Sequence, residues 1–212
     1  MLTVKSFAFN PVQENTYVLS GQKDACYIID PGCYFGNERS ELREYIEQQG
    51  LTPKMLLNTH CHLDHIFGNK WVYETWDLPL HLHANEKPVL EAGPQMGLDW
   101  GMPFENYEGE LVFLQPGTKL RLGDDLLEIL FLPGHSPGSV GFYCAAQQFL
   151  IGGDVLFRES IGRTDLPGGD HATLFRSIKE VLWKLPDPVV VYPGHGPETT
   201  IGWEKRNNPF LS

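Results

Sequence analysis

Three short apolar runs open the chain, LTVKSFAF, NTYVLS and ACYIID, with turn-forming residues at Asn10-Pro11, Ser20-Gly21 and Asp30-Pro31-Gly32. Runs of that length bounded by such residues predict antiparallel strands, so the chain opens as a β-meander. Helical spacing takes over in NERSELREYIEQQ, residues 37–49, where Leu42, Tyr45, Ile46 and Gln49 share a face and Gly50 marks the stop. After Pro53 the run MLLN is too short for a helix and reads as a strand. IFGNKWVYETW follows as a second helix, with Phe67 and Trp71, then Val72 and Trp76, one turn apart, and LPLHLH is the next strand. The order to this point is βββαβαβ.

Residues 91–117 mix glycines, prolines and aromatics without a period, which predicts a long excursion over the surface. Strands resume with TKLRL, DLLEILFL, SVGFYCA and QFLIGG. A second irregular stretch, DVLFRESIGRTDLPGGD, leads to a helix over about His171 to Lys184, and VVVY forms a last strand before Pro193. Two successive sets of strands and helices, with no linker composition between them, predict one α/β domain over residues 1–212. Its expected architecture is a four-layer αββα sandwich, two facing sheets with helices outside.

Composition narrows the class. With 42% hydrophobic and 12% aromatic residues the chain can bury a substantial core. A formal charge of -11 has the wrong sign for neutralising phosphates, so no nucleic-acid partner is expected. The first residues lack the pattern of a signal peptide, and no run approaches the ~18 apolar residues of a membrane helix, so a cytoplasmic protein without a membrane partner is expected. Cys26, Cys33, Cys61 and Cys144 form no CxxC pair, so any metal must be held by other atoms.

Those atoms are conspicuous. His60, His62, Asp64 and His65 crowd the string THCHLDH directly after MLLN, and alternation at that strand's end would aim residues 60, 62 and 64 to one side, with His65 supplied by the next helix. LEILFL runs into Pro133-Gly134-His135, QFLIGG into Asp154, and VVVY into Pro193-Gly194-His195, so each ligand-type residue follows an apolar strand. An isolated HxH pair is weak evidence, but here five of eight histidines lie in the THCHLDH string or at Pro-Gly-His turns. Imidazole and carboxylate suit zinc, iron or manganese, and the donors exceed what one tetrahedral ion can use. Two ions sharing a carboxylate fit the number.

With these motifs the sequence resembles the metallo-β-lactamase superfamily, and within it the hydroxyacylglutathione hydrolase (glyoxalase II) group. The resemblance runs through THCHLDH, GHSPGS, GGDVLF, GRTDLPGGD and PGHGPETTIGWEKRNNPFL, most of the chain. It implies an αββα sandwich with His60, His62 and His135 on one divalent metal, Asp64, His65 and His195 on a second, and Asp154 bridging. Zinc is the metal most in keeping with that set. The implied activity is hydrolysis of a small-molecule thioester, such as S-lactoylglutathione or a related hydroxyacyl thioester, by a hydroxide held between the metals, with Asp64 orienting it. The chain ends at Ser212, before the helical C-terminal region that carries the best-known glutathione site of that group, so no substrate-binding residues transfer; the ending NNPFL is typical of short bacterial members.

An alternative class is the mononuclear-iron persulfide dioxygenases, which share GRTD but usually carry cysteine where this chain has Ile161. A third, non-catalytic metal binding, is disfavoured because a structural site is normally closed by four ligands. Several neighbours receive bland readings. Cys61 should face away from the metals, His81 and His83 have no acidic partner or glycine turn nearby, Arg163 and Asp165 should brace each other, and Asp170 should cap the helix that His171 begins.

Overall fold

The computed structural model describes residues 1–211, which fall into two compact units. The first comprises Met1–Leu114 with Leu122–Asp125, and the second Gln115–Arg121 with the described residues from Leu126 onward. Among the described residues no helix is long and apolar enough to cross a membrane.

The first unit is built on a six-stranded sheet: β1 (Thr3–Phe9), β2 (Glu14–Ser20), β3 (Ala25–Ile29), β4 (Thr52–Leu57), β5 (Leu80–His83) and β6 (Leu111–Leu114), in that spatial order. β1 to β3 form the expected antiparallel meander, after which β3 to β6 run parallel through helical crossovers. Helix α1 (Gly36–Gln48) buries Leu42 and Ile46. It begins where the Glu38 carboxylate takes the amide hydrogens of Tyr34 and Phe35, and it ends at Gly50, whose φ of 63° suits glycine. The second helical run divides into α2 (Leu63–Ile66) and α3 (Asn69–Trp76). One core of aliphatic side chains, including Val18, Ile28, Leu42, Leu56, Val72 and Leu82, joins these helices to the sheet.

The expected surface excursion over 91–117 is not what forms. Helix α4 (Lys87–Asp99) and strand β6 occupy much of it. The glycines that read as breakers lie on the helix's buried face. A Cβ on Gly93 would stand 2.9 Å from Ile66 Cδ1, and one on Gly97 would stand 2.7 Å from the Met102 carbonyl oxygen. Close approach to α2 and the following loop thus explains residues that weaken an isolated helix.

A second sheet, largely within the second unit, comprises β7 (Lys119–Leu122), β8 (Asp125–Phe131), β9 (Val140–Cys144), β10 (Phe149–Gly153), β13 (Val190–Pro193) and β14 (Thr199–Thr200), ordered β14-β13-β10-β9-β8-β7, and β11 (Leu156–Phe157) and β12 (Ser160–Ile161) form a hairpin. Helix α5 (His171–Arg176) continues as a π-turn over Ser177–Val181 and a 3-10 turn over Leu182–Lys184, so the anticipated helix is present but not uniform. A final helix, α6 (Ile201–Asn207), follows β14, and neither was foreseen. Leu132, Leu150, Leu174, Ile178, Leu182 and Val191 form this unit's core.

Candidate metal centre

Each unit carries its own cluster of ligand-type side chains. In the first, Asn58 and Thr59 follow the end of β4, His60 to His62 lie in the link to α2, with His62 extended, and Asp64 and His65 lie on α2. Strand alternation is not what aims residues 60, 62 and 64. The strand stops at Leu57, and Asp64 is aimed by a helical turn. His60 and His62 stack edge-on at 4.8 Å between ring centroids, and His60 and His65 stand 4.1 Å apart. All three rings are buried.

Buried imidazoles need defined partners, and one carboxylate supplies most of them. Asp30 Oδ1, just past β3, accepts from the Thr59 amide at 2.7 Å and Asn58 Nδ2 at 3.1 Å. Its Oδ2 accepts from the Thr59 hydroxyl at 2.5 Å and lies 3.2 Å from His65 Nδ1. Because the Thr59 proton goes to Asp30, the 3.1 Å contact between Thr59 Oγ1 and His60 Nδ1 requires the imidazole to donate. The same logic makes His65 Nδ1 a donor. Both rings then carry the lone pair on Nε2, the tautomer a metal needs. His65 Nε2 stands 3.6 Å from Asp64 Oδ2.

Two further buried carboxylates complete the frame. Glu86 Oε2 accepts the Cys61 amide hydrogen at 2.7 Å and so holds the backbone between His60 and His62. Glu14 lies 3.7 Å from His65 Nδ1, and burial pushes its carboxyl well above the usual carboxylate range. Cys61 is buried in the apolar core, and burial pushes its thiol well up, with the Glu86 and Asp30 charges adding to that. Its place in that core is the packing role expected of it. His81 Nδ1 meets the carbonyls of Pro79 and Leu56, and His83 accepts from the Asn85 amide, so both serve the local backbone.

The second cluster gathers His135, Asp154 and His195. Asp154 Oδ2 stands 3.6 Å from His135 Nε2 and 3.5 Å from His195 Nε2. His135 Nδ1 lies 2.8 Å from the Arg163 carbonyl, which can only accept, so this ring too presents its Nε2 lone pair. Two glycines make the arrangement possible. Gly134 has φ of 132°, and a Cβ there would lie 2.2 Å from the Leu174 amide nitrogen; a Cβ on Gly162 would lie 2.0 Å from the Asp154 carbonyl oxygen. The GRTD loop is braced as anticipated. Arg163 Nε and Nη2 each meet an Asp165 oxygen at 2.7 Å, which lowers the Asp165 carboxyl to about 2. Asp170 caps α5 by accepting from the Thr173 amide at 2.7 Å.

These donor sets fit a metal. Nitrogen–oxygen separations of 3.5 and 3.6 Å exceed a good hydrogen bond, about 2.7–3.2 Å, yet two ligands about 2.0–2.1 Å from one tetrahedral ion stand about 3.4 Å apart. Residues such as Asp30 and Glu86, which set ring orientation and loop position, escaped the sequence reading. Their partners lie 25 to 35 residues away, and only the strand-end position of Asp30 in Ile29-Asp30-Pro31-Gly32 hinted at a role like that of Asp154.

Comparison with known proteins gives this chemistry a setting. The family model described as the metallo-beta-lactamase superfamily matches residues 9–195. The chain is 44% identical over 203 residues to the probable metallo-hydrolase YqgX of Bacillus subtilis (strain 168), covering 95% of this chain and 94% of that protein. It is 38% identical over 203 residues to the hydroxyacylglutathione hydrolase GloC of Haemophilus influenzae (strain ATCC 51907 / DSM 11121 / KW20 / Rd), covering 94% and 93%. Among solved structures, TTHA1623 in a di-iron-bound form superposes with a TM-score of 0.90 at 39% identity, covering 98% of this chain and 100% of that one. The BLEG-1 B3 metallo-beta-lactamase does so with a TM-score of 0.90 at 38% identity, covering 99% and 100%. The fold is that shared α/β architecture.

Proposed function

The chain belongs to the metallo-beta-lactamase superfamily and is a metal-dependent hydrolase, and from that premise we propose that it cleaves a small hydroxyacyl thioester such as S-lactoylglutathione in the cytoplasm. The observation that carries this choice is the similarity to a hydroxyacylglutathione hydrolase across nearly the whole of both chains. In this reading His60, His62 and His135 would hold one divalent ion and Asp64, His65 and His195 a second, with Asp154 available to both and zinc the expected metal.

Such ions, when bound, lower the pKa of water from 15.7 toward about 7 and polarise a carbonyl. The protein's own groups do the rest. Asp30, Thr59 and the Arg163 carbonyl hold the imidazoles of His65, His60 and His135 with the proton on Nδ1 and the lone pair on Nε2, so no reorientation is needed when a metal arrives. Asp64 orients the attacking water by accepting its hydrogen bond at a carboxylate oxygen. A thiol of pKa about 8.5 departs as thiolate without a proton donor, whereas an amine released from a lactam needs one.

Protein loaded with divalent metal, assayed against S-lactoylglutathione, a cephalosporin, and glutathione persulfide in an oxygen electrode, tests the reading. The expected result is thioester cleavage with kcat/KM at least tenfold above the lactam rate and no oxygen uptake. Inertness toward every acyl thioester tried, or oxygen consumption with a single iron, overturns it.

A further inference from the structure

The first unit contains a cavity of about 530 Å³ between the start of α1, α3 and residues 103–105. That volume lies in the range of small-molecule sites, roughly 300–1,000 Å³. Its floor is aromatic. Phe67 is buried, with the Tyr34 ring 4.8 Å away on one side and the Phe104 ring edge-on at 5.0 Å on the other. The Tyr34 hydroxyl donates to the Pro103 carbonyl at 3.1 Å, tying two walls together.

Charge is distributed unevenly around the rim. Lys70 is already paired with Glu105 and lies 4.0 Å from Glu74. Arg39 is different. Its Nε donates to the Cys33 carbonyl at 3.3 Å, which fixes the guanidinium plane, and its two terminal nitrogens make no hydrogen bond to the described residues. A half-buried guanidinium anchored at one edge presents a two-pronged donor, the geometry that matches a carboxylate. Glu74 and Glu105, exposed on the same rim, are the carboxylates that Lys70 already meets. An aromatic floor edged by that guanidinium fits a molecule that carries a carboxylate beside an apolar flank. Phe67, which lines the cavity, stands two residues past His65, immediately after α2.

We infer that this cavity receives the carboxylate-bearing, peptide-like portion of the substrate's thiol, with Arg39 as the carboxylate's partner and Phe67 and Trp71 against its apolar flank. The inference rests on the thioester reading above, which supplies the peptide thiol.

The test is a binding cycle with the metal-loaded protein and two stable probes, S-methylglutathione and its dimethyl ester, measured by calorimetry. In the wild type the diacid is expected to bind at least tenfold more tightly than the diester, the effect of one charge-assisted pair. In Arg39→Ala that ratio should fall toward one, and in Arg39→Lys, which keeps the charge but loses the fork, it should fall part of the way. Equal binding of the two probes to wild-type protein overturns the inference. So does a ratio that Arg39→Ala leaves intact, which is the signature of a purely structural arginine. If Arg39→Ala fails to fold, the wild-type ratio and Arg39→Lys still decide, since a ratio undiminished in the lysine variant contradicts the fork. Because the cycle reads binding alone, it separates the two claims. An Arg39-dependent ratio without thioester turnover rejects the hydrolase reading, and turnover without such a ratio rejects the cavity.

Discussion

Replacing Asp30 by Asn removes one oxygen from the hub of the first ligand cluster while preserving shape. Asn Oδ1 can still accept from the Thr59 amide and Asn58, but an amide NH₂ would then face the Thr59 hydroxyl and His65 Nδ1, which now give their hydrogens to Oδ2. Two hydrogen bonds to a buried charged group are lost, each contributing about 1.5–3 kcal/mol, so the variant should be destabilised by about 3–6 kcal/mol. Against a typical total of about 5–15 kcal/mol that is a large fraction. The chemical consequence is more specific. With Nδ1 no longer held as a donor, His65 can adopt the other tautomer, and metal affinity should fall about 10–100-fold, the usual effect of losing such an orienting partner. Equilibrium dialysis against graded chelator, followed by elemental analysis, measures the affinity, and thermal denaturation of chelated protein measures the stability independently. An Asp30→Asn protein that retains metal as tightly as wild type would refute the tautomer argument, even if it melted earlier.

Other expectations follow from the same geometry. Gly134→Ala must place a Cβ against the Leu174 backbone at a φ that L-residues avoid, combining about 1–3 kcal/mol of backbone strain with about 1–3 kcal/mol of overpacking, and a melting-temperature drop on the order of 10 °C should be seen by calorimetry. Burial lowers the His81 pKa below its usual 6.5, so the folded state prefers the neutral ring. Stability should therefore be present above about pH 6.5 and decline as pH falls below it, and His81→Gln should flatten that part of the curve in paired denaturant titrations from pH 7.5 to 5. All four cysteines are buried, with the Cys26 thiol raised to about 12 by burial, so a thiol reagent should label none of them in native protein and all four after unfolding.

The legible parts of the fold were those governed by local periodicity. The meander over residues 3–29 and helix α1 follow from alternation, turn residues and a glycine stop, and each is present. Helix α4 was hidden because Gly93, Pro94 and Gly97 argue against a helix locally. The first and last of these are required by close packing against Ile66 and the Met102 carbonyl, which are remote in sequence. The short β14 likewise depends on its pairing with β13. In the candidate site, the histidines and aspartates that offer ligand atoms were visible because each follows an apolar strand. The carboxylates that orient them were not. Asp30, Glu14 and Glu86 look like ordinary acidic residues until folding buries them around His65 and Cys61.

The central claim is that these donors act as one dinuclear hydrolytic centre, and the most direct test titrates metal-free protein with divalent ion while recording thioester hydrolysis per chain. Activity is expected to be absent without metal and to rise to a plateau at two ions per chain. Full hydrolysis by metal-free protein, or a plateau reached at a single ion, would contradict the account.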